Sequence, residues 1–93
     1  MRRLIWSHAS RRDLNAIEES IGADNPRAAL RIVCAIRDRA EQLRHFPASG
    51  PTLSGEFRSL TVRGTPFVVV YRIGEGRVEI ARVRHTREDW RPE

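Results

Sequence analysis

Few side chains in this 93-residue chain are equipped for chemistry. Attack of a 2′-hydroxyl on a phosphodiester needs a base, an acid for the leaving oxygen and cations for the charge that develops on phosphorus. Histidine titrates near neutral pH and arginine grips phosphate in a planar fork. His85 with Arg58, Arg82 and Arg87 is one minimal acid/base and phosphate-binding set that such work could use. The preferred reading of His85 is nevertheless structural, as a residue that hydrogen-bonds a strand end or packs under Trp90. Arg58 and Arg72 have a similar alternative, as strand residues paired with Glu56, Glu79 or Asp89. His8 and His45 have no companions at ligand spacing and read as surface or capping residues. No metal-ligand cluster, phosphate-cradling glycine loop or Ser/His/Asp arrangement is visible. Neither a metal nor a cofactor is expected, and no residue is assigned as catalytic outright.

All seventeen basic residues are arginine and the chain has no lysine. Schiff-base chemistry and a lysine general base are excluded, while bidentate contacts to phosphate or carboxylate remain open. Against twelve acidic residues the arginines leave a net charge of +5. The charge is not polarised along the chain, with nine arginines in residues 1–46 and eight in 47–93, each half carrying six acids. A basic patch must therefore be made by folding.

These groups have to be positioned by a small body. Residues 1–93 read as one domain, since separate cores arise only in much longer chains. A 40% apolar fraction and 31% charge are ordinary for a folded protein. The longest apolar run, residues 67–71, falls far short of the roughly 20 residues of a membrane span. The amino terminus lacks the apolar segment of an export signal, so a cytoplasmic location is expected. The lone Cys34 agrees with a reducing compartment and reads as a packing residue within a helix.

Leu4, Ile5 and Trp6 suit a short first strand. Ser7 or Ser10 then caps a helix, and in the second case Asp13 falls at the third helical position. Leu14, Ile17 and Ile21 share a face of this helix over about residues 8–21, with Gly22 expected as a left-handed C-cap. Asn25-Pro26 is the strongest helix start in the chain. Ala29, Ile32, Val33, Ile36, Ala40 and Leu43 form its apolar stripe, and Pro47 is expected to end it after Phe46. Residues 47–51 are a breaker cluster and read as a loop. Thereafter the period shifts toward two over residues 57–62, 67–73 and 77–84, with connections so short that the three strands must form an antiparallel meander. The expected fold is α+β, an N-terminal strand and a two-helix hairpin packed on a small antiparallel sheet in the order β-α-α-β-β-β. The strand at 67–73 is apolar on both faces until Arg72, so part of the second face calls for a partner.

The chain resembles the ParE branch of the RelE/ParE toxins of bacterial type II toxin–antitoxin modules. The resemblance is carried by Ala9, Asp13, Leu14 and Ile17 on the first helix, Asn25-Pro26 with Ala28 and Ala29 opening the second, and Leu43, Pro47 and Gly50. It continues with Phe57-Arg58-Ser59-Leu60, Val68-Val69-Val70-Tyr71-Arg72-Ile73, and Val83-Arg84-His85 followed by Glu88-Asp89-Trp90. It implies the β-α-α-β-β-β fold and a growth-inhibiting toxin neutralised by a ParD-like antitoxin whose carboxy-terminal segment wraps it. ParE-like members stall DNA gyrase with DNA cleaved, whereas RelE-like members cut messenger RNA on the ribosome, and fold alone does not choose between them. RelE-like nucleases use basic residues on central strands and a tyrosine or histidine near the carboxy terminus. Here Tyr71, the only tyrosine, lies inside a strand, which favours the gyrase reading.

On that reading the chain acts by binding. Arg58, Arg63, Arg82, Arg84, Arg87 and Trp90 are the expected target contacts, drawn to gyrase or indirectly to its DNA. Ile17, Ile21, Val33, Val68 and Val70 are the expected antitoxin contacts, through a helix laid in a groove or an added strand. A plain nucleic-acid-binding domain is disfavoured, because aromatic residues make up only 6% of the chain and fall mostly at core-like strand positions, which leaves poor stacking platforms.

Overall fold

A computed structural model describes residues 1–87. The order is β1 (Arg3–Trp6), α1 (His8–Gly22), α2 (Pro26–Gln42), a 3-10 turn (Pro47–Ser49), β2 (Thr52–Ser54), β3 (Phe57–Thr61), β4 (Phe67–Gly74) and β5 (Arg77–His85). The five strands form one sheet in the order β1-β5-β4-β3-β2. β3, β4 and β5 are the expected antiparallel meander. β1 lies parallel to β5, with Leu4 opposite Val78 and Trp6 opposite Ile80, so the sheet is mixed. The loop expected at 47–51 holds the 3-10 turn and leads into β2, a short edge strand on β3. Among the described residues no helix is long and apolar enough to cross a membrane.

Ser7 is the cap of α1. Its hydroxyl oxygen accepts the Ser10 N–H at 3.0 Å and its O–H donates to the Ala81 carbonyl at 2.8 Å, fastening the helix start to β5. The buried Ser10 donates in turn to the Ser7 carbonyl at 2.8 Å. With Ser7 as cap, Asp13 lies in the second turn of α1 and is released from the capping role that Ser10 would have given it.

The other end of α1 departs from expectation. Gly22 stays helical, the cap is Ala23 in right-handed conformation, and the three positive-φ residues of the described chain are Gly55, Gly64 and Gly76. No left-handed residue is needed, because the N–H groups of Ala23, Asp24 and Asn25 turn back onto the carbonyls of Glu19 and Ile21. Asn25 then takes the extended cap conformation, its Oδ1 accepting the Ala28 N–H at 3.1 Å with Pro26 next in line, as an Asx cap followed by proline should.

α2 ends at Gln42 rather than Phe46. Phe46 sits at φ −129°, ψ 67°, driven out of the helical region by the ring of Pro47 that follows it. The preceding turn tightens to i→i−3 bonds from Leu43 to Ala40, Arg44 to Glu41 and His45 to Gln42, as helix ends commonly do. Cys34 is exposed, not packed, since the buried stripe of α2 runs through Ala29, Val33, Ile36 and Ala40 and passes beside it.

The helices cover one face of the sheet. Leu14, Ile36, Ala40 and Leu43 meet Leu60, Val69, Tyr71, Val78, Ile80 and Val83, with Ile17, Ile21 and Trp6 packed at the margin. Tyr71 is fully buried and its hydroxyl is satisfied twice: it donates to the Pro47 carbonyl at 2.7 Å and accepts the Gly50 N–H at 2.9 Å. This holds the 3-10 turn against the sheet. Gly50 has to be glycine there, because a Cβ would lie 2.3 Å from the Ser59 carbonyl oxygen and 2.9 Å from the Tyr71 hydroxyl.

Substitutions at this corner separate packing from hydrogen bonding. Gly50→Ala forces backbone apart and should destabilise more than Tyr71→Phe, both measured by thermal unfolding. Tyr71→Phe leaves the Gly50 N–H and Pro47 carbonyl unpaired and should cost about 1–3 kcal/mol. For a chain of this size that lowers Tm by about 4–8 °C per kcal/mol.

Burial raises the pKa of the Tyr71 phenol, outweighing the Gly50 hydrogen bond and the charges of Arg58 and Arg39, which lower it, because desolvation disfavours the phenolate. The folded chain therefore keeps this proton at a pH where the unfolded chain has lost it. Its contribution is present below about pH 10 and is lost as pH rises through the raised folded value. With one tyrosine and no lysine, phenolate absorbance reports this group alone. Phenolate should appear together with loss of structure in an alkaline titration, and ionisation well before unfolding would contradict the burial.

Candidate target-binding face

The face of the sheet turned away from the helices is set by strand register. Val68 and Val70 of β4 point there, opposite Thr61 and Ser59 of β3 and Arg84 and Arg82 of β5, since alternate residues of a strand share a face. Phe57 and Arg72 continue the same face. A groove of about 490 Å³ opens on it, lined by Leu53, Ser54, Phe57, Val70, Ala81, Arg82 and Arg84. Its floor is apolar and two arginines stand at its wall. Arg72 lies beside it, 2.7 Å from both Glu56 and Glu79 and stacked over the Phe57 ring at 5.8 Å. Those two carboxylates, Glu56 first, raise its pKa and fix its fork.

A bulge in β5 determines what Arg82 does. Tyr71 pairs with Ile80 but Val70 pairs with Arg82, so Ala81 is an extra residue. β1 has ended at this level, its last ladder bond running from the Ser7 N–H to the Ile80 carbonyl at 3.0 Å. Side chains of α1 take over where the strand departs. The Ser7 hydroxyl serves the Ala81 carbonyl, and Asp13 Oδ2 accepts the Val83 N–H at 2.9 Å. The same carboxylate receives Arg82 as a fork, Nε at 2.8 Å and Nη2 at 3.1 Å, the bidentate geometry that makes such pairs strong. Asp13 thus blunts the open edge of β5 and anchors Arg82.

The remaining candidates lie elsewhere. Arg58 stands opposite Tyr71 on the helix-covered side and donates to the Gly50 carbonyl at 2.8 Å. His85 stands opposite Phe67 on that same side, its ring edge-on to the phenyl at 5.4 Å and 82°. His85 Nδ1 accepts the Arg87 backbone N–H at 3.0 Å at the end of β5. Two strand spacings and four residues of rise separate Arg58 from His85, about 16 Å between backbones. Arg63 is exposed between β3 and β4, and Arg87 is exposed just after β5. Trp90 lies outside the described residues. Among the described residues, Arg82 and Arg84 are the expected target contacts gathered at the groove.

Of the expected antitoxin contacts, Val70 lines the groove and Val68 lies on the same face, both nearly buried by their neighbours. Ile17 and Ile21 are half-buried at the helical hairpin, and Val33 is buried against the core side of α2. Sequence reasoning passed over Leu53, Phe57, Ala81 and Asp13. Phe57 was within reach, since strand alternation places it on the face opposite Arg58. The bulge that brings Ala81 and the Asp13–Arg82 fork together leaves no local signature. Among the described residues no three His, Cys, Asp or Glu side chains are grouped to hold a metal ion.

Comparison with known proteins agrees with this architecture. The chain is 33% identical over 85 residues to Toxin RelE2 of Caulobacter vibrioides, covering 91% of this chain and 96% of the relative. It is 34% identical over 90 residues to the putative toxin Y4kP of Sinorhizobium fredii, covering 96% and 93%. The chromosomal ParDE toxin–antitoxin system of P. aeruginosa contains a chain that superposes with a TM-score of 0.80 at 26% identity, covering 91% of this chain and 96% of that one. The RelBE2 toxin–antitoxin complex of Mycobacterium tuberculosis gives 0.69 at 27% identity, covering 90% and 96%. The family model for the ParE toxin of the type II toxin–antitoxin system parDE matches residues 4–90, and the chain belongs to this toxin family.

Proposed function

We propose that this chain inhibits DNA gyrase by binding it, without catalysing a reaction of its own, and that a ParD-like antitoxin holds it inactive. The observation that carries the proposal is the dispersal of its acid–base candidates. His85 is engaged by Phe67 and the Arg87 N–H, Arg58 by the Gly50 carbonyl, and Arg82 by Asp13. A phosphodiester held at the groove would meet cations from Arg82 and Arg84 but, among the described residues, no converging base and acid. An inhibitor that works by binding needs only a shaped, charged surface. Arginine at the edge of an apolar groove suits that role, since a planar fork gives both reach and orientation.

The target contact is assigned to Arg82 and Arg84 at the groove, with Arg87, Trp90 and Arg63; Arg58, turned to the helix-covered side and held by the Gly50 carbonyl, is left out of it. The antitoxin contact is assigned to the groove floor at Val70 with Val68, and to the hairpin at Ile17 and Ile21. Val33 contributes by holding the hairpin in shape. A gyrase target implies a cytoplasmic location. The names RelE2 and RelBE2 among the relatives keep a second reading open, in which the chain cuts messenger RNA with His85 as acid or base and the arginines on phosphate.

Induced expression in cells, with DNA damage signalling and message integrity followed in one time course, separates the two. Early DNA breaks with intact messages are expected, and rapid message cleavage without breaks would replace gyrase by RNA. A companion experiment locates the surface. Changing Arg84, Arg87 and Trp90 together should abolish toxicity in a variant whose Tm is preserved, whereas His85→Gln should keep most of it. Full toxicity of the triple variant would move the site away from these three residues.

A further inference from the structure

A second concavity lies on the helix side of the molecule, remote from the groove. Trp6 at the end of β1, Arg11, Leu14 and Asn15 of α1, and Arg37 of α2 line about 400 Å³. Arg11 and Asn15 are one helical turn apart on the same face of α1. Arg37 holds its guanidinium over the Trp6 ring at 5.8 Å. A cation–π contact uses the charge and not the N–H donors, and among the described residues the Arg37 guanidinium makes no hydrogen bond.

Three arginines elsewhere are held by carboxylates: Arg82 by Asp13, Arg72 by Glu56 and Glu79, Arg44 by Glu41. Among the described residues neither the Arg11 nor the Arg37 guanidinium has an ion-pair partner, and no carboxylate lines this concavity. Three elements thus bring two forks, an indole and an amide around one hollow with uncompensated positive charge. That field draws an anion.

We propose that this hollow binds a terminal phosphate group, as carried by a small phosphomonoester. A terminal phosphate offers three oxygens and up to two negative charges, enough for a fork from each arginine. A backbone diester offers two free oxygens and one charge, and satisfies only one fork well. The volume exceeds that of a phosphate alone, so the ester group rests on Leu14 and the indole while Asn15 supplies a further polar contact.

The chain has two tryptophans, so the indole N–H resonance of Trp6 in a nitrogen-15 correlation spectrum is a direct reporter, assigned with Trp90→Phe. Titration with a nucleoside 5′-monophosphate at constant low ionic strength should shift it saturably, and the parent nucleoside should not. Arg11→Gln with Arg37→Gln should weaken the response about tenfold or more, through loss of both charge-assisted forks. Arg27→Gln with Arg31→Gln removes the same charge from an exposed stretch of α2 and should leave affinity within about twofold. A non-saturating shift, or equal losses in the two double variants, would reduce the effect to net charge and overturn the site. A DNA duplex without terminal phosphates that matched the monophosphate, with the same dependence on Arg11 and Arg37, would overturn the monoester in favour of a backbone contact.

Discussion

The central strand must be covered on both of its faces, and the rest of the molecule answers to that demand. Residues 67–71 of β4 are apolar without interruption and all five are buried, the pattern of a strand sheltered on two sides. Val69 and Tyr71 face the helical hairpin, whose apolar stripe exists to meet them. The Tyr71 hydroxyl carries a polar group into that core and draws the segment after α2 down onto the sheet through Pro47 and Gly50. Val68 and Val70 face the other way, where among the described residues cross-strand neighbours and the arginines of β5 shield them. One face is thus a completed core, and the other a groove with an apolar floor. Function is to be sought on the incomplete face.

What the groove presents depends on how β5 is finished. β1 supports β5 only as far as Ile80, and the chain then turns into α1 at Ser7. A bare strand edge would remain, with a free N–H at Val83 inviting another chain. Asp13 closes it and in the same stroke fixes Arg82, so edge protection and the posture of a surface cation share one carboxylate. The bulge at Ala81 is what makes the sharing possible. It also explains why Arg82 and Arg84, two residues apart, have different surroundings: one is tied to α1, the other stands opposite Val68. Inhibition by a preset surface is compatible with this economy. RNA cleavage would demand an acid and a base brought to the same place.

Much of the fold was legible because its signals are local. Asn25-Pro26 announces α2, the change of period after Gly50 announces the meander, and the short connections leave antiparallel pairing as the only option. The errors sit at the ends and margins of the helices. Gly22 is a natural left-handed cap, yet the backbone bonds that lead from α1 into Asn25 close the turn without one. α2 sheds its last turn because Pro47 distorts Phe46, a consequence felt several residues upstream. Cys34 borders the buried stripe of α2 closely enough that composition alone misplaces it. The site was less legible than the fold. Arg58 and Arg82 are similar in sequence, each an arginine within a strand, but alternation against Tyr71 and Val70 sends them to opposite faces. A pairing such as Asp13 with Arg82, across nearly the whole chain, has no signature in spacing.

The proposal is of an agent that acts by occupying its target, and it rests on the scattered acid–base groups within a member of the ParE toxin family. The most direct test reconstitutes that act from purified parts: DNA gyrase, plasmid, ATP and this chain, with cleaved DNA scored after the proteins are denatured. The account predicts that linear plasmid accumulates as the chain is added and that its cognate antitoxin prevents this. Normal supercoiling with no cleaved plasmid, from a chain that in parallel cuts messages on purified ribosomes, would contradict it.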